Sequence, residues 1–172
     1  ITFRSVVNTI AARNGLYSDF SPKPLMHESG NGLHINVSVK AENGEDVTDS
    51  FMAGVLEHTV EMTAFLNPVA ASYKRLGEKK APKYVTWSPE NRSQLIRVPA
   101  AKGEYKRIEL RSPDPTVNPY IAYALLIYAG LDGIEKGLQS PEAVNVNLYK
   151  AEKSLTDTLQ KLPDTLEEAK TL

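Results

Sequence analysis

Residues 105–111 read Tyr-Lys-Arg-Ile-Glu-Leu-Arg, a stretch in which apolar and charged side chains alternate. This alternation is typical of a half-buried strand, because successive side chains of a strand point to opposite faces. Ile108 and Leu110 should therefore face a core. The opposite face should carry four polar side chains, Tyr105, Arg107, Glu109 and Arg111. Such a face is either a solvated charge ladder or one wall of an active site, and the pattern leaves both open.

Three further strands are predicted around this stretch. The clearest covers residues 33–40, where His34, Asn36 and Ser38 share the polar face. Two shorter strands are expected at 83–88 and 94–98. With helices packed on one side, these elements predict an α+β fold built on an antiparallel sheet.

Helical spacing of apolar residues predicts three long helices, over residues 1–14, about 50–66 and about 118–138. Gly15 suits the end of the first helix, and Asn67-Pro68 the end of the second. Asp49 or Ser50 is expected to cap the second helix, and Asn118-Pro119 to start the third. Two short helical patterns follow in the C-terminal tail.

The composition excludes several kinds of function. The chain has 20 Lys and Arg residues against 21 Asp and Glu, so neither nucleic acid nor an anionic membrane is an expected partner. It has no cysteine, which rules out disulfides, thiolate catalysis and cysteine-based zinc sites. The apolar run 121–131 is short for a bilayer, and no signal peptide is visible. We therefore expect a soluble, cytoplasmic protein.

The 172 residues suffice for one domain or a large part of one. The chain opens at Ile1 directly into a helical pattern, without Met or a preceding loop. From this opening we expect the sequence to be a piece of a longer protein.

One imidazole and one carboxylate on neighbouring polar faces suggest a divalent metal. His34 and Glu109 suit Mg²⁺ or Mn²⁺, although two ligands alone would bind such an ion weakly. The guanidinium group of arginine can bind two oxygens of a phosphate or carboxylate at once. Five arginines are candidates for this role beside the pair: Arg75, Arg92, Arg97, Arg107 and Arg111. This combination is expected where a nucleotide phosphate is transferred to an acidic substrate. The alternative is that His34 is structural and the arginines are solvated.

Several segments in order resemble the catalytic domain of type I glutamine synthetase. They cover nearly the whole chain: "PKP" (22–24), "GNGLHINVS" (30–38), "NPVAASYKRL" (67–76), "AP…NRSQLIRVP" (81–99), "RIELRSPDPTVNPY" (107–120) and "AGLDGIEKGL" (129–138). By resemblance, residues 1–172 would be the C-terminal portion of that domain, without the N-terminal β-grasp domain and the upstream metal ligands. The resemblance also implies a dodecamer for the full-length protein, and we expect the 172 residues alone to be inactive.

For the metal and nucleotide, the resemblance implies a set of ligands. His34 and Glu109 would share the Mg²⁺ or Mn²⁺ ion that contacts the phosphates of ATP. Arg97 and Arg107 would bind those phosphates. Two residues of the strand at 33–40 would lie on the nucleotide side, Asn36 and Ser38.

For the acidic substrate, the resemblance implies a second set. Gly30 and Arg75 would hold L-glutamate, and Arg111 would bind on the glutamate side of the site. Arg92 would act in catalysis at the transferred phosphoryl group and would also contact the substrate. Tyr149 matches a tyrosine that is adenylylated in some bacterial members, or is simply an exposed loop tyrosine.

The sequence departs from the family pattern at four positions. The family's flap glutamate, which helps to deprotonate ammonium, is replaced by Lys80, and Glu78 is the nearby carboxylate that could substitute catalytically. Ser29 replaces an asparagine, Asn36 a histidine and Glu104 a lysine. The Lys80 replacement questions ammonia as the nitrogen donor, because a cation disfavours an ammonium site.

The resemblance implies a reaction in which ATP phosphorylates the γ-carboxylate of L-glutamate and ammonia displaces the phosphate to give glutamine. Two alternatives remain open at this point. One is a γ-glutamyl ligase that uses another amine, and the other is a non-catalytic synthetase-like binding or structural protein.

Overall fold

The structure is a computed structural model that describes residues 2–101 and 103–172. Ile1, which the sequence predicts to lie in the first helix, is outside the described residues, as is the side chain of Glu104. The described residues form six α-helices, four strands and one 3₁₀ helix. In chain order they are α1 (Thr2–Arg13), β1 (Ile35–Val37), α2 (Thr48–Leu66), α3 (Ala70–Tyr73), β2 (Trp87–Ser88), β3 (Ile96–Arg97), the 3₁₀ helix (Gly103–Tyr105), β4 (Ile108–Leu110), α4 (Pro119–Glu135), α5 (Lys153–Thr156) and α6 (Leu166–Ala169).

The four strands form one sheet in the order β1-β4-β3-β2, so β4 lies inside it with neighbours on both sides. Glu109 is paired with Asn36 of β1 and with Arg97 of β3, both antiparallel. Directly opposed residues project from the same face, which brings these three polar side chains together. Ile108 and Leu110 are buried on the other face, as the alternation predicts.

The strand at 105–111 is shorter than predicted. Tyr105 lies in the 3₁₀ helix rather than on the strand, because the Lys106 amide donates to the Gly103 carbonyl and turns the chain before β4 begins. Gly103 allows this turn with a positive φ of 59°. Tyr105 therefore does not belong to the polar face of β4.

The α+β class is confirmed, but one strand pair differs from the antiparallel prediction. β2 and β3 run parallel, with Trp87 opposite Ile96. The Ile96 and Val98 amides of this pair donate to the Thr86 and Ser88 carbonyls. The sheet is therefore mixed.

Helices α2 and α4 pack against each other through glycines and share one core with the apolar face of the sheet. A Cβ atom on Gly54 would lie 2.1 Å from the Ala129 carbonyl oxygen, and one on Gly130 would lie 2.1 Å from the Phe51 ring. The two helices can approach this closely only without those side chains. The largest fully buried apolar side chains are Leu66, Leu95, Ile96, Ile108, Leu110, Leu126 and Leu162.

Most of the helix boundaries in the structure agree with those predicted from the sequence. Asn118 accepts from the Tyr120 amide and Pro119 opens α4 as predicted, and α2 ends at Leu66 before Asn67. The predicted cap of α2 at Asp49 or Ser50 is wrong, because the helix begins at Thr48, whose amide donates to Asp46. Among the described residues, no helix has the length and apolar character needed to cross a membrane.

Candidate active site

A cavity of about 520 Å³ lies over the polar face of β4, between the glycine loop before β1 and the loop after α3. Its lining contains one carboxylate, Glu109, and one imidazole, His34. Six cationic side chains also line it: Arg75, Lys79, Lys80, Arg92, Arg97 and Arg111. The cavity is therefore built for anionic groups such as phosphates and carboxylates.

Glu109 is the central residue of the site. One carboxylate oxygen, Oε1, lies 2.9 Å from His34 Nδ1 and accepts from Arg111 at 3.3 Å. The other, Oε2, accepts from Arg97 at 3.1 Å. The Glu109 and Arg111 side chains are only 11% and 4% exposed, so these charges interact with little screening by water.

The charges around Glu109 set the protonation of the His34–Glu109 pair. Burial would raise the pKa of Glu109, but the Arg97 hydrogen bond and the Arg111 charge outweigh it, and the pKa is lowered. Burial, helped by Arg111, lowers the pKa of His34 despite its contact with Glu109. The site thus presents an ionised carboxylate and a neutral imidazole at neutral pH, which are the forms that bind metal.

The described residues contain no group of three or more His, Cys, Asp or Glu side chains placed to hold a metal ion. His34 and Glu109 fit a divalent cation as a two-donor site. With the Nδ1 proton directed at Glu109, the lone pair of Nε2 is available for a metal, an arrangement that is common for histidine ligands.

Arg75 is fixed under the glycine loop. It is 3% exposed and donates to the Ser112 carbonyl at 2.7 Å and the Arg111 carbonyl at 3.2 Å. A Cβ atom on Gly30 would lie 2.9 Å from Arg75 Cγ, and one on Gly32 would lie 2.6 Å from its Nη2. The Gly-Asn-Gly sequence therefore allows the backbone to pack directly on this arginine.

Arg111 can still donate a hydrogen bond to a ligand. Its Nη1 and Nη2 donate to Glu109 and to the Lys80 carbonyl, each at 3.3 Å. Its Nε is buried and has no hydrogen-bond partner among the described residues. An unpaired buried donor is costly in a folded protein, and a bound ligand would remove that cost.

Among the cavity residues that the sequence did not identify as site residues are Lys79 and Gly32. Lys79 belongs to a loop with a run of basic residues, and this run is the sequence feature that could have indicated its role. Gly32 could be recognised from the sequence only as part of a turn. Tyr149 lines the cavity as well, with its hydroxyl donating to the Arg92 carbonyl at 3.4 Å. Burial raises the pKa of Tyr149, so its phenol stays protonated at neutral pH.

Four of the residues named from the sequence lie outside this cavity. Arg107 donates to Asn36 at 3.2 Å, away from Glu109. Ser38 lines a separate cavity of about 400 Å³ beside Asp46 and Lys106. Glu78 has an exposed side chain outside the lining, because Lys79 and Lys80 occupy the rim. The structure brings together the remaining seven: Gly30, His34, Arg75, Arg92, Arg97, Glu109 and Arg111.

The chain matches the family described as the glutamine synthetase catalytic domain over residues 1–172. It is 44% identical to a glutamine synthetase of Staphylococcus epidermidis, covering 96% of this chain and 40% of the relative. It is 42% identical to a glutamine synthetase of Clostridium saccharobutylicum, covering 98% of this chain and 42% of the relative. The chain belongs to the glutamine synthetase catalytic-domain family.

Solved structures agree with this assignment. A structure described as a GmaS–ADP complex superposes with a TM-score of 0.83 at 32% identity, covering 98% of this chain and 42% of that one. A structure of GmaS without ligand gives a TM-score of 0.81 at the same identity. The chain therefore spans about two fifths of the length of the relatives that it matches.

Proposed function

We propose that this chain provides the phosphoryl-transfer side of an ATP-dependent ligase that joins ammonia to the γ-carboxylate of L-glutamate. The observation that carries the proposal is Glu109, held by Arg97, Arg111 and His34 in a cavity lined by six cations. Family membership supports a glutamine synthetase-type ligase.

In the proposed reaction, a γ-carboxylate oxygen of glutamate attacks the γ-phosphorus of ATP, and ADP leaves. The nitrogen of ammonia then attacks the acyl carbon, the bond to phosphate breaks, and the nitrogen loses a proton. Negative charge accumulates on phosphoryl oxygens in both steps. Fixed cations around those oxygens stabilise such charge without having to reorganise.

The arginines divide this work according to their burial. Arg75 is immobilised by two backbone carbonyls, which suits a residue that positions the glutamate carboxylate. Arg111 is also buried and offers its unpaired Nε to the glutamate side. Arg92 is exposed at the rim and can move to the transferred phosphoryl group. Arg97 bridges Glu109 and the Glu90 carbonyl, and we assign it to the nucleotide phosphates.

His34 and Glu109 would hold one Mg²⁺ or Mn²⁺ ion. When bound, such an ion supplies charge neutralisation at the nucleotide phosphates. With two donors in the described residues, these 172 residues should bind the ion weakly and should not sustain turnover alone. Asn36, Ser38 and Arg107 are assigned to the nucleotide beyond the main cavity.

The exposed apolar residues support assembly into an oligomer. α1 has no buried residue, and Phe3 and Ile10 are 72% and 55% exposed. On α4, Tyr120 and Tyr128 are each 73% exposed. Apolar surface on this scale is typical of faces that are covered by other protein. We assign it to contacts within a ring-shaped homo-oligomer, a dodecamer in its expected form.

A second candidate function changes only the nitrogen donor. Lys80 lines the cavity, and a cation beside the donor site disfavours ammonium. A γ-glutamyl ligase that uses another amine would keep every other assignment.

The proposal is tested by glutamate-dependent release of ADP from ATP and Mg²⁺, with the chain in the form that its gene encodes. Ammonium should stimulate the release, and Glu109→Gln should reduce it by about a hundredfold or more, a loss typical of removing one preorganised charged group. The control is Glu61→Gln, which removes an exposed glutamate outside the cavity and should leave the rate unchanged. ADP release that does not depend on glutamate would contradict the proposal, and the absence of any ADP release would favour the non-catalytic role.

A further inference from the structure

The segment that follows β4, residues 111–114, receives hydrogen bonds from two parts of the molecule that border the cavity. Two of its carbonyls accept from the Arg75 guanidinium, at 2.7 and 3.2 Å. A third, that of Pro113, accepts from the Leu33 amide at 2.9 Å, where the glycine loop leads into β1. The position of this segment therefore determines where Arg75 lies in the cavity.

Two buried polar residues that do not line the cavity, Asn67 and Asp114, hold this segment in place. Both are 0% exposed. The side-chain amide of Asn67 donates to the Ser112 carbonyl at 2.9 Å and to one Asp114 oxygen at 3.1 Å. The other Asp114 oxygen accepts from the backbone amide and the hydroxyl of Thr116. These contacts join the end of α2 to the segment that anchors the arginine.

The orientation of Asn67 depends on Asp114. Because an ionised carboxylate only accepts hydrogen bonds, Asp114 keeps the NH₂ group of Asn67 directed at itself and at the Ser112 carbonyl. That carbonyl then accepts from Asn67 and Arg75 together. A chain of contacts thus runs from Thr116 through Asp114 and Asn67 to the anchor of Arg75.

Asp114 also acts on Arg75 through its charge. Arg75 makes no ion pair among the described residues and is 3% exposed. Burial lowers the pKa of Arg75, and the negative charge of Asp114 opposes this shift. Asp114 therefore has two opposite effects on an anionic ligand, since it fixes the arginine in place and partly cancels its positive charge.

We propose that Asn67 and Asp114 are positioning residues for the carboxylate of the substrate, which they serve by holding Arg75 in the orientation that faces the cavity. This inference rests on the proposed ligase function and extends it to two residues outside the cavity lining. An arginine that is already fixed binds a carboxylate without losing further side-chain freedom, which increases affinity. Orientation outweighs the loss of net charge, because Arg75 depends on the Ser112 carbonyl that Asn67 also holds.

The test measures kcat and the KM values for glutamate and ATP in Asp114→Asn, with the protein as its gene encodes it. The variant keeps the shape of the side chain and replaces one acceptor with an NH₂ group. The Thr116 donors take the remaining oxygen, so Asn67 can no longer donate to both of its partners.

The KM for glutamate should rise by about tenfold or more in this variant, because a small displacement of a positioning group is costly. The kcat and the KM for ATP should stay close to their wild-type values, a separation that a general loss of stability would not produce. A purely electrostatic role of Asp114 predicts the opposite sign, a lower KM for glutamate, because the cavity gains positive charge.

Thr116 offers variants that keep the Asp114 charge and decide the proposal even where Asp114→Asn does not fold. Thr116→Val removes the hydroxyl that donates to Asp114 and should raise the KM for glutamate by a smaller factor, and Thr116→Ser should restore it. The matched control is Asp19→Asn. Asp19 is exposed, lies outside the cavity lining and accepts from the amide two residues on, as Asp114 does, so all three constants should be unchanged.

A double variant shows whether the effect passes through the arginine. In an Arg75→Lys background, Asp114→Asn should cause no further rise in the KM for glutamate, because the contact that it weakens is already lost. Equal rises in both backgrounds would overturn the inference, as would a glutamate KM in Asp114→Asn that is unchanged, lowered or raised in step with the KM for ATP. A wild-type protein without glutamate-dependent ADP release would instead overturn the proposed function, and this inference with it.

Discussion

Replacing Glu109 with glutamine keeps the shape of the side chain and removes the single negative charge of the cavity lining. The carboxylate accepts charge-assisted hydrogen bonds from Arg97 at 3.1 Å and Arg111 at 3.3 Å. Each such bond contributes about 1.5–3 kcal/mol, and removing one partner of a buried pair costs about 3–5 kcal/mol. The Arg97 side chain is 23% exposed, which weakens its share. We therefore expect Glu109→Gln to lower the free energy of unfolding by about 3 kcal/mol.

This effect is measurable by urea denaturation followed by the fluorescence of Trp87, the one tryptophan of the chain. The matched control is Glu61→Gln, which removes an exposed carboxylate 3.5 Å from His58. That pair is largely solvated, so the control should lose less than about 1 kcal/mol. A Glu109→Gln variant as stable as the control would show that the arginines around Glu109 do not depend on its charge, and would refute the electrostatic account of the site.

Three further predictions follow from particular contacts. The pKa of Glu109 is lowered below its ordinary value of 4.5, so its stabilising effect is full above that pH and is lost as the pH falls through the lower folded value. The stability difference between wild type and Glu109→Gln should therefore shrink in acid, and a difference that grows below pH 4.5 would contradict this sign. Gly54→Ala should destabilise by about 3 kcal/mol in the same denaturation, because its methyl would lie 2.1 Å from the Ala129 carbonyl oxygen; a neutral effect would mean that α2 and α4 can separate freely. Asn118→Ala should cost about 1 kcal/mol through the lost cap of the Tyr120 amide, and Asn118→Asp should restore it.

The sequence predicted the centre of the site because strand periodicity is a local property. Alternation around Glu109 and His34 places both on polar faces, and the antiparallel pairing of β1 with β4 then brings them within 2.9 Å. The α+β class and the start of α4 were predictable for the same reason, since spacing and capping residues act over a few positions.

The remaining features depend on contacts that are distant in the sequence. The parallel direction of β3 relative to β2 depends on the path of the loop that connects them, and no periodicity encodes that path. Tyr105 left the strand because Gly103 turns the chain just before it. The Lys80 carbonyl accepts a hydrogen bond from Arg111, which is 31 residues away, and this contact holds Lys80 at the rim of the cavity. Side chains such as Glu78, which the sequence places close to the site, can thus point away from it.

The central claim is that this site activates a carboxylate of glutamate by phosphorylation. The most direct measurement supplies glutamate labelled with ¹⁸O in its γ-carboxylate, together with ATP, Mg²⁺ and ammonium, and analyses the released phosphate by mass spectrometry. Since the attacking carboxylate oxygen leaves with the phosphate, the account predicts one ¹⁸O atom in each phosphate formed. Phosphate that carries no label would contradict the account, because ATP would then be cleaved by water rather than by glutamate.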